Sequence, residues 1–177
     1  MKTIQKHYIA LPFNNLGIEG NDLFKKILKR LDGIKFTVAG GTALGLYRDK
    51  KLIFDDTDID IDVVWIEGLE EKLRSIFSDF PLASEIFYDD KIQQLAFLPD
   101  GIIFDIHFSY LEDGHYICRH TAGELSYPKY FFDEPIFKDT SFGIIPFPGN
   151  IDAFLFRKYG MDWMIPQYRK KGTLKNI

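Results

Sequence analysis

The sequence holds a single cysteine, Cys118, so no disulfide framework can form within the chain. It also lacks any apolar run near the roughly 20 residues of a membrane-spanning helix, which excludes an integral membrane segment. The opening stretch "MKTIQKHYIALPFNN" is broken by Lys6, His7, Pro12 and two asparagines before the apolar core of a secretory signal can develop. These absences set the expectation of a cytoplasmic protein. A positive excess is missing too: the formal net charge is −4 and the isoelectric point is about 5.6. Without a basic field to grip a phosphate backbone, nucleic acid is not an expected partner. Repeats, low-complexity tracts and linkers are absent as well, so residues 1–177 are expected to form one domain. A chain of this length buries about 70% of its unfolded surface and needs no metal or disulfide merely to fold.

What is present is unevenly placed. Aromatic residues make up 16% of the chain, with 17 phenylalanines, most of them alternating with polar residues or recurring at helical spacing. They read mainly as core. "GNDLFKKILKRLDG" predicts a helix capped by Asn21 or Asp22, with Leu23, Phe24, Ile27, Leu28 and Leu31 on one face and Gly33 at its end. A short strand, "IKFTVA", follows; Gly40 and Gly41 then predict a tight turn, and "TALGLYR" a short helix beginning at Thr42. "LEEKLRSIFSDF" is amphipathic and is stopped by Pro81. "KIQQLAFL", "PDG" and "IIFDIHFSY" predict a hairpin. Beyond it come a short strand around Tyr116, a Pro-rich irregular stretch, and a helix, "NIDAFLFRKYG", capped by Asn150 and closed by Gly160. Strands and helices without a regular βαβ rhythm predict an α+β fold around a mixed or antiparallel sheet.

The chemistry is concentrated in "FDDTDIDIDVV". Asp56 to Val64 alternate between aspartate and an apolar or threonine residue, the period of a strand, so Asp56, Asp58, Asp60 and Asp62 share one face. Like charges stacked this closely repel, and a divalent cation is the natural counter-charge. Carboxylates two positions apart on a strand can converge on a pair of ions, and hard oxygen ligands suit Mg²⁺ or Mn²⁺. In "IIFDIHF", Asp105 shares a face with Ile103 and His107 and lies among apolar residues, where it needs a partner. If that strand lies beside the aspartate strand, Asp105 supplies a third carboxylate. Sixteen residues separate Gly41 from Asp58, room for a short helix and a return, so a phosphate cradle at Gly40, Gly41 and Thr42 would face the carboxylates.

Two plainer readings compete. A solvated acidic face is seldom interleaved with isoleucines on a strict two-residue period. An EF-hand loop would place Asp56, Asp58, Asp60 and Glu67 at its ligand positions, but Ile61 stands where that loop needs glycine. His107 either orients a carboxylate or the acceptor, or is simply hydrogen-bonded structure, the simpler reading. His115, Cys118 and His120 fit no zinc spacing. Tyr159 and Trp163 suit an acceptor site and packing behind a helix end equally well.

"GGTALGLYRDKKLIFDDTDIDIDV" resembles the signature of the nucleotidyltransferase superfamily: a glycine pair after a strand, two aspartates separated by one apolar residue, and a third carboxylate on an adjacent strand. More narrowly it resembles the LicD/fukutin family through Gly41, Thr42, Leu44, Gly45 and Arg48, then Asp56, Asp58 and Asp60, then "FDIHF", and finally Tyr159, Gly160, Trp163 and Pro166. Thr57 stands where that family usually has an aspartate, so Asp60 with Asp62 is an alternative working pair. The resemblance implies a nucleotidyltransferase-like mixed β-sheet flanked by helices. It further implies transfer of a phospho-alcohol, phosphocholine or ribitol phosphate, from a CDP-activated donor to a sugar hydroxyl of a glycan or glycolipid, as in cell-surface glycan modification. Asp58 and Asp60 would hold Mg²⁺ or Mn²⁺ with Asp56 beside them, Asp105 would bind metal or take the hydroxyl proton, and Gly40, Gly41, Thr42 and Arg48 would hold phosphate. For Arg48 a surface ion pair is an equal alternative. The same fold could instead transfer a nucleoside monophosphate from an NTP to a small-molecule or protein hydroxyl, or persist as an idle binding protein.

Overall fold

In the computed structural model of the chain, residues 3–9, 14–120 and 123–166 are described. In chain order the elements are β1 (Thr3–His7), α1 (Glu19–Arg30), β2 (Thr37–Val38), α2 (Gly40–Leu44), β3 (Asp58–Val64), α3 (Leu69–Ile76), β4 (Leu82–Tyr88) and β5 (Lys91–Phe97). They continue with β6 (Ile103–Glu112), β7 (His115–His120), β8 (Gly123–Pro128), α4 (Tyr130–Asp133), β9 (Ile136–Thr140), β10 (Gly143–Phe147) and α5 (Ile151–Tyr159). The architecture is α+β. One sheet runs in the order β1-β4-β5-β6-β3-β2, with β7 and β8 added beyond the C-terminal half of β6, and β9 and β10 form a separate hairpin. β3 and β6 are parallel, and the other pairs among the described residues are antiparallel. No helix among the described residues is long and apolar enough to cross a membrane.

The period-two pattern of β3 divides its residues cleanly. Ile59, Ile61 and Val63 enter the apolar core with Phe104, Ile106 and Phe108 of β6, all of them essentially inaccessible. α1 joins that core with Leu23, Phe24 and Ile27, and α3 with Leu69 and Leu73. Phe77, at the end of α3, meets Phe104 edge to face at 5.0 Å. This burial fixes the register, because a slip by one residue would put three aspartates into the core. The opposite pleat carries Asp58, Asp60, Asp62, Asp105 and His107.

The hairpin of β5 and β6 and the Asn150 cap form as the sequence predicts; the Asn150 side chain accepts a hydrogen bond from the Ala153 N–H at 3.3 Å. Other expectations need correction. α1 begins at Glu19 with Ile18 at its cap and no side-chain cap, so Asn21 and Asp22 lie inside the first turn. Its entry is set by a tight backbone contact, Gly20 N–H to the Leu16 carbonyl at 2.6 Å, and a Cβ on Gly20 would crowd Leu16. Gly40 and Gly41 are not a turn ahead of a helix but the first two residues of α2, which passes into a single π-helical turn at Gly45–Asp49. β3 starts at Asp58, leaving Asp56 in the connection before it, where its carbonyl accepts from the Leu16 N–H. The stretch expected to be irregular holds β8, α4, β9 and β10; of its four prolines, Pro128 ends β8, Pro146 lies on the two-stranded hairpin, and Pro135 and Pro148 flank that hairpin, places where a missing N–H is tolerated.

Candidate active site

The parallel pairing of β3 and β6 sets Asp60 opposite Asp105 and Asp62 opposite His107. In-register residues on neighbouring strands lie about 4.8 Å apart and point the same way. The side chains therefore meet: one ligand atom from each of Asp60, Asp105 and His107 lies within 4.8 Å of the other two. All three are buried, with 7%, 8% and 6% of their surface exposed.

Asp60 is the most constrained. His107 Nε2 lies 3.2 Å from its Oδ1, and the Gly41 N–H donates to its Oδ2 at 3.2 Å. Its own N–H donates to Thr42 Oγ1 at 2.9 Å, and its carbonyl accepts from the Ala39 N–H at 3.1 Å. The start of α2 is thus fastened to β3 through this one residue. The glycine pair permits that approach. A Cβ on Gly40, whose φ is +50°, would overlap the Asp60 carboxylate, and one on Gly41 would overlap that of Asp56.

The carboxyl groups differ in their affinity for protons. Burial pushes Asp58 up to about 8, helped by repulsion from Asp60, Asp56 and Asp105 and by a hydrogen bond with Asp56. Burial pushes Asp105 up to about 6, helped by the Asp60 charge and opposed by His107, a Gln94 hydrogen bond and Lys158. Asp62 is raised by burial, against the pull of His107 and Lys158. Asp60 alone is lowered: burial works against it, but the His107 hydrogen bond and charge, Lys158 and the Gly41 N–H prevail. Burial lowers His107, yet Asp60, Asp105 and Asp62 together hold it above its ordinary value. Asp60 is therefore held as an anion by its His107 and Gly41 contacts, while burial and mutual repulsion disfavour further charge on Asp58, Asp62 and Asp105.

Asp105 Oδ1 is buried and accepts no hydrogen bond, a costly arrangement for a carboxylate unless a cation completes it. Carboxylate oxygens in this number suit a hard divalent ion, so the residues present fit Mg²⁺ or Mn²⁺. Arg48 has other partners. Its Nε and Nη2 donate to Asp49 at 2.8 and 2.7 Å, and its Nη1 donates to the Trp163 carbonyl at 3.1 Å. Trp163 is held again by Tyr47, the ring centroids 5.9 Å apart. A cleft of about 540 Å³ lies between the end of α1 and the β9–β10 hairpin, lined by Leu28, Leu31, Phe36, Phe137 and Ile144 among others, and Asp58, Asp60, Asp62 and Asp105 do not line it.

Sequence reasoning gave carboxylate orientation by His107 as one reading without naming Asp60 and preferred a structural role, and it did not anticipate the influence of Lys158. The two-residue step from Asp105 was the available signal for His107. Lys158 sits on α5, almost a hundred residues from β3, and no local pattern could indicate it.

No family model matches the chain, and no curated protein matches it. Solved structures do resemble it. The lincomycin-bound lincosamide antibiotic adenylyltransferase LnuA superposes with a TM-score of 0.54 at 18% identity, over 81% of this chain and 87% of that one. A putative nucleotidyltransferase from Thermotoga maritima superposes with a TM-score of 0.53 at 20% identity, over 80% of this chain and 83% of that one. The fold is thus that of nucleotidyltransferases. At 18–20% identity this likeness is one of fold, and it does not extend to the LicD/fukutin family.

Proposed function

We propose that the protein is a metal-dependent nucleotidyltransferase that moves a nucleoside monophosphate from an NTP to a hydroxyl of a small molecule. The observation that carries this reading is the placement of Asp60 and Asp105 side by side on parallel strands, with the glycine pair of α2 closed against Asp60. A nucleotidyltransferase fold, shared with an enzyme named for adenylyl transfer to a lincosamide, supports the same choice over phospho-alcohol transfer.

In this reading Asp58, Asp60 and Asp105 would hold Mg²⁺ or Mn²⁺, which offsets the triphosphate charge when bound. Asp56 stands beside them through its hydrogen bond with Asp58. Asp60 is pre-aimed by the Gly41 N–H on its carboxylate and by the Thr42 and Ala39 bonds to its main chain. Asp105, in register beside Asp60, would accept the proton of the attacking hydroxyl. The hydroxyl oxygen forms a bond to the α-phosphorus, the bond from that phosphorus to the α,β-bridging oxygen breaks, and pyrophosphate departs with the electron pair. Gly40, Gly41 and Thr42 would bring main chain rather than side chains alongside the phosphates. Arg48, occupied by Asp49 and Trp163, acts here as a clasp on the C-terminal segment.

The test is incubation of the protein with each of the four NTPs and Mn²⁺ or Mg²⁺, with lincosamides, aminoglycosides and simple sugars as acceptors. Pyrophosphate release and product mass are measured together. The expected product is an acceptor heavier by one nucleoside monophosphate unit, absent with Asp60→Asn. Release of CMP from CDP-choline with a phosphocholine-bearing product, and no pyrophosphate from any NTP, would overturn the reading in favour of phospho-alcohol transfer.

A further inference from the structure

We propose that His107 is a direct ligand, with Asp60 and Asp105, of the divalent cation, and that its imidazole makes the site select Mn²⁺ or Co²⁺ over Mg²⁺. This rests on the metal-dependent reading above but concerns the ion and not the group transferred.

The geometry favours a ligand over a bystander. Atoms that share one ion through bonds of about 2.1 Å lie about 3–4 Å from one another. Ligand atoms of Asp60, Asp105 and His107 fall within 4.8 Å of one another, and His107 Nε2 lies 3.2 Å from Asp60 Oδ1. A second, independent observation concerns the same cluster: Asp105 Oδ1, on a side chain more than nine-tenths buried, has no hydrogen-bond donor. The three side chains come from two adjacent strands in fixed register, so the donor set is held by the sheet and not by a mobile loop.

The choice of ion follows from the donors. Mg²⁺ demands oxygen ligands in near-ideal octahedral geometry and gives up water reluctantly. An imidazole nitrogen is a softer donor that later first-row ions accept readily, while two carboxylates keep the site acceptable to Mn²⁺. One nitrogen and two carboxylate oxygens therefore favour Mn²⁺ and Co²⁺ over Mg²⁺ more strongly than carboxylates alone would.

The alternative is that His107 only positions Asp60 by hydrogen bonding. The two roles separate by ion selectivity. MnCl₂, CoCl₂ and MgCl₂ are titrated calorimetrically into the full chain, wild type and His107→Gln; the amide keeps a hydrogen-bond donor but offers no imidazole. The expected result is wild-type affinity for Mn²⁺ and Co²⁺ above that for Mg²⁺, and a loss in His107→Gln of about tenfold or more for Mn²⁺ and Co²⁺. The Mg²⁺ affinity stays within about twofold, because Mg²⁺ gains little from nitrogen. Equal weakening of all three ions, or no binding by the wild type, overturns the assignment.

Pulsed electron paramagnetic resonance of Mn²⁺ on the wild type supplies a readout that needs no variant to fold. Imidazole nitrogen modulation is expected, and its absence from bound Mn²⁺ overturns the proposal. If that modulation is present while no NTP is turned over, the ligand assignment stands and the nucleotidyl-transfer reading falls.

Discussion

Asp60 and Asp105 are register partners across the parallel pair β3 and β6, and the two carboxyl groups have been driven in opposite directions by their surroundings. Asp60 has His107 and a backbone N–H; Asp105 has a buried oxygen with no donor. One is a fixed anion and the other a proton acceptor in waiting. Asp60→Asn and Asp105→Asn should each lower turnover by about 10³-fold or more, since each removes several kcal/mol of charge stabilisation or proton transfer from the transition state. Steady-state kinetics on variants with wild-type circular dichroism check this. A loss of less than about tenfold in either would remove that residue from the machinery.

The crowding of carboxyl groups makes metal-free stability fall as pH rises. Asp105 binds its proton up to about 6 and Asp58 up to about 8 in the folded protein, against an ordinary value of 3.8 for both. Between those limits the folded state holds more protons than the unfolded one, so stability is greatest below pH 4 as far as these groups contribute, and is lost as pH climbs through 6 and then 8. Two pKa units on Asp105 alone correspond to about 3 kcal/mol. Urea denaturation in EDTA at pH 5 and pH 8.5 should show the decline, and millimolar Mn²⁺ should reverse it at pH 8.5. Asp58→Asn should be more stable than wild type in EDTA at pH 8.5, by about 1 kcal/mol or about 2–4 °C in Tm. A flat profile in EDTA would contradict the electrostatic picture.

The glycine pair offers a steric test. Gly40 has a φ of +50°, and a Cβ at either glycine would overlap an aspartate carboxylate. Gly40→Ala should cost about 1–3 kcal/mol from the left-handed backbone and the overlap together. Gly41→Ala, without the φ penalty, should cost less stability yet still displace Asp56 and weaken Mn²⁺ binding. Chemical denaturation and metal titration separate the two effects.

Much of this site was legible because its signals are local. The two-residue alternation of Asp58 to Val64 specified both a strand and its acidic face, and the apolar run around Asp105 specified the second strand. Their adjacency was an expectation carried by the lone buried aspartate and the family resemblance, but their parallel register was not legible: β3 and β6 pair across an intervening helix and hairpin, and register between distant strands is decided by the shared burial of Ile59, Ile61, Phe104 and Ile106. β1 escaped notice because all five of its residues are exposed and carry no apolar face. β9 and β10 were hidden by prolines and by outward-facing Phe137 and Ile144, which blur the alternation that reveals a half-buried strand. His107 carried a signal, its two-residue spacing from Asp105, but a histidine on a strand is common enough that spacing alone does not reveal its partner.

The cap of α5 bears on the site electrostatically, because Lys158 on that helix adds to the field that lowers the Asp60 carboxyl. Asn150 does two things: it accepts from the Ala153 N–H and it adopts a left-handed φ of +51°. Asn150→Ala loses both and should cost about 1–2 kcal/mol, whereas Asn150→Gly keeps the backbone freedom and should cost a few tenths of that scale. Equal losses in the two variants, measured by urea denaturation, would assign the effect to packing instead.

Arg48 distinguishes two uses of a guanidinium. As found, its donors are shared between Asp49 and the Trp163 carbonyl, so the π-helical turn after α2 grips the segment that follows α5. Tyr47, one residue earlier, reinforces the grip by packing on Trp163 and donating to Asp152 at 3.2 Å. If this clasp is the role, Arg48→Ala removes charged hydrogen bonds that contribute about 1.5–3 kcal/mol. Stability and amide protection around Trp163 should then fall while KM for the NTP changes little. Arg48→Lys should recover only part of the loss, since an ammonium cannot span the Asp49 carboxylate and the distant carbonyl with one planar fork. A phosphate ligand would behave the other way: KM for the NTP would rise about tenfold or more with Tm unchanged, because the interaction would exist only in the complex. Measuring Tm and KM on the same two variants decides whether the guanidinium serves the C-terminal segment or the substrate.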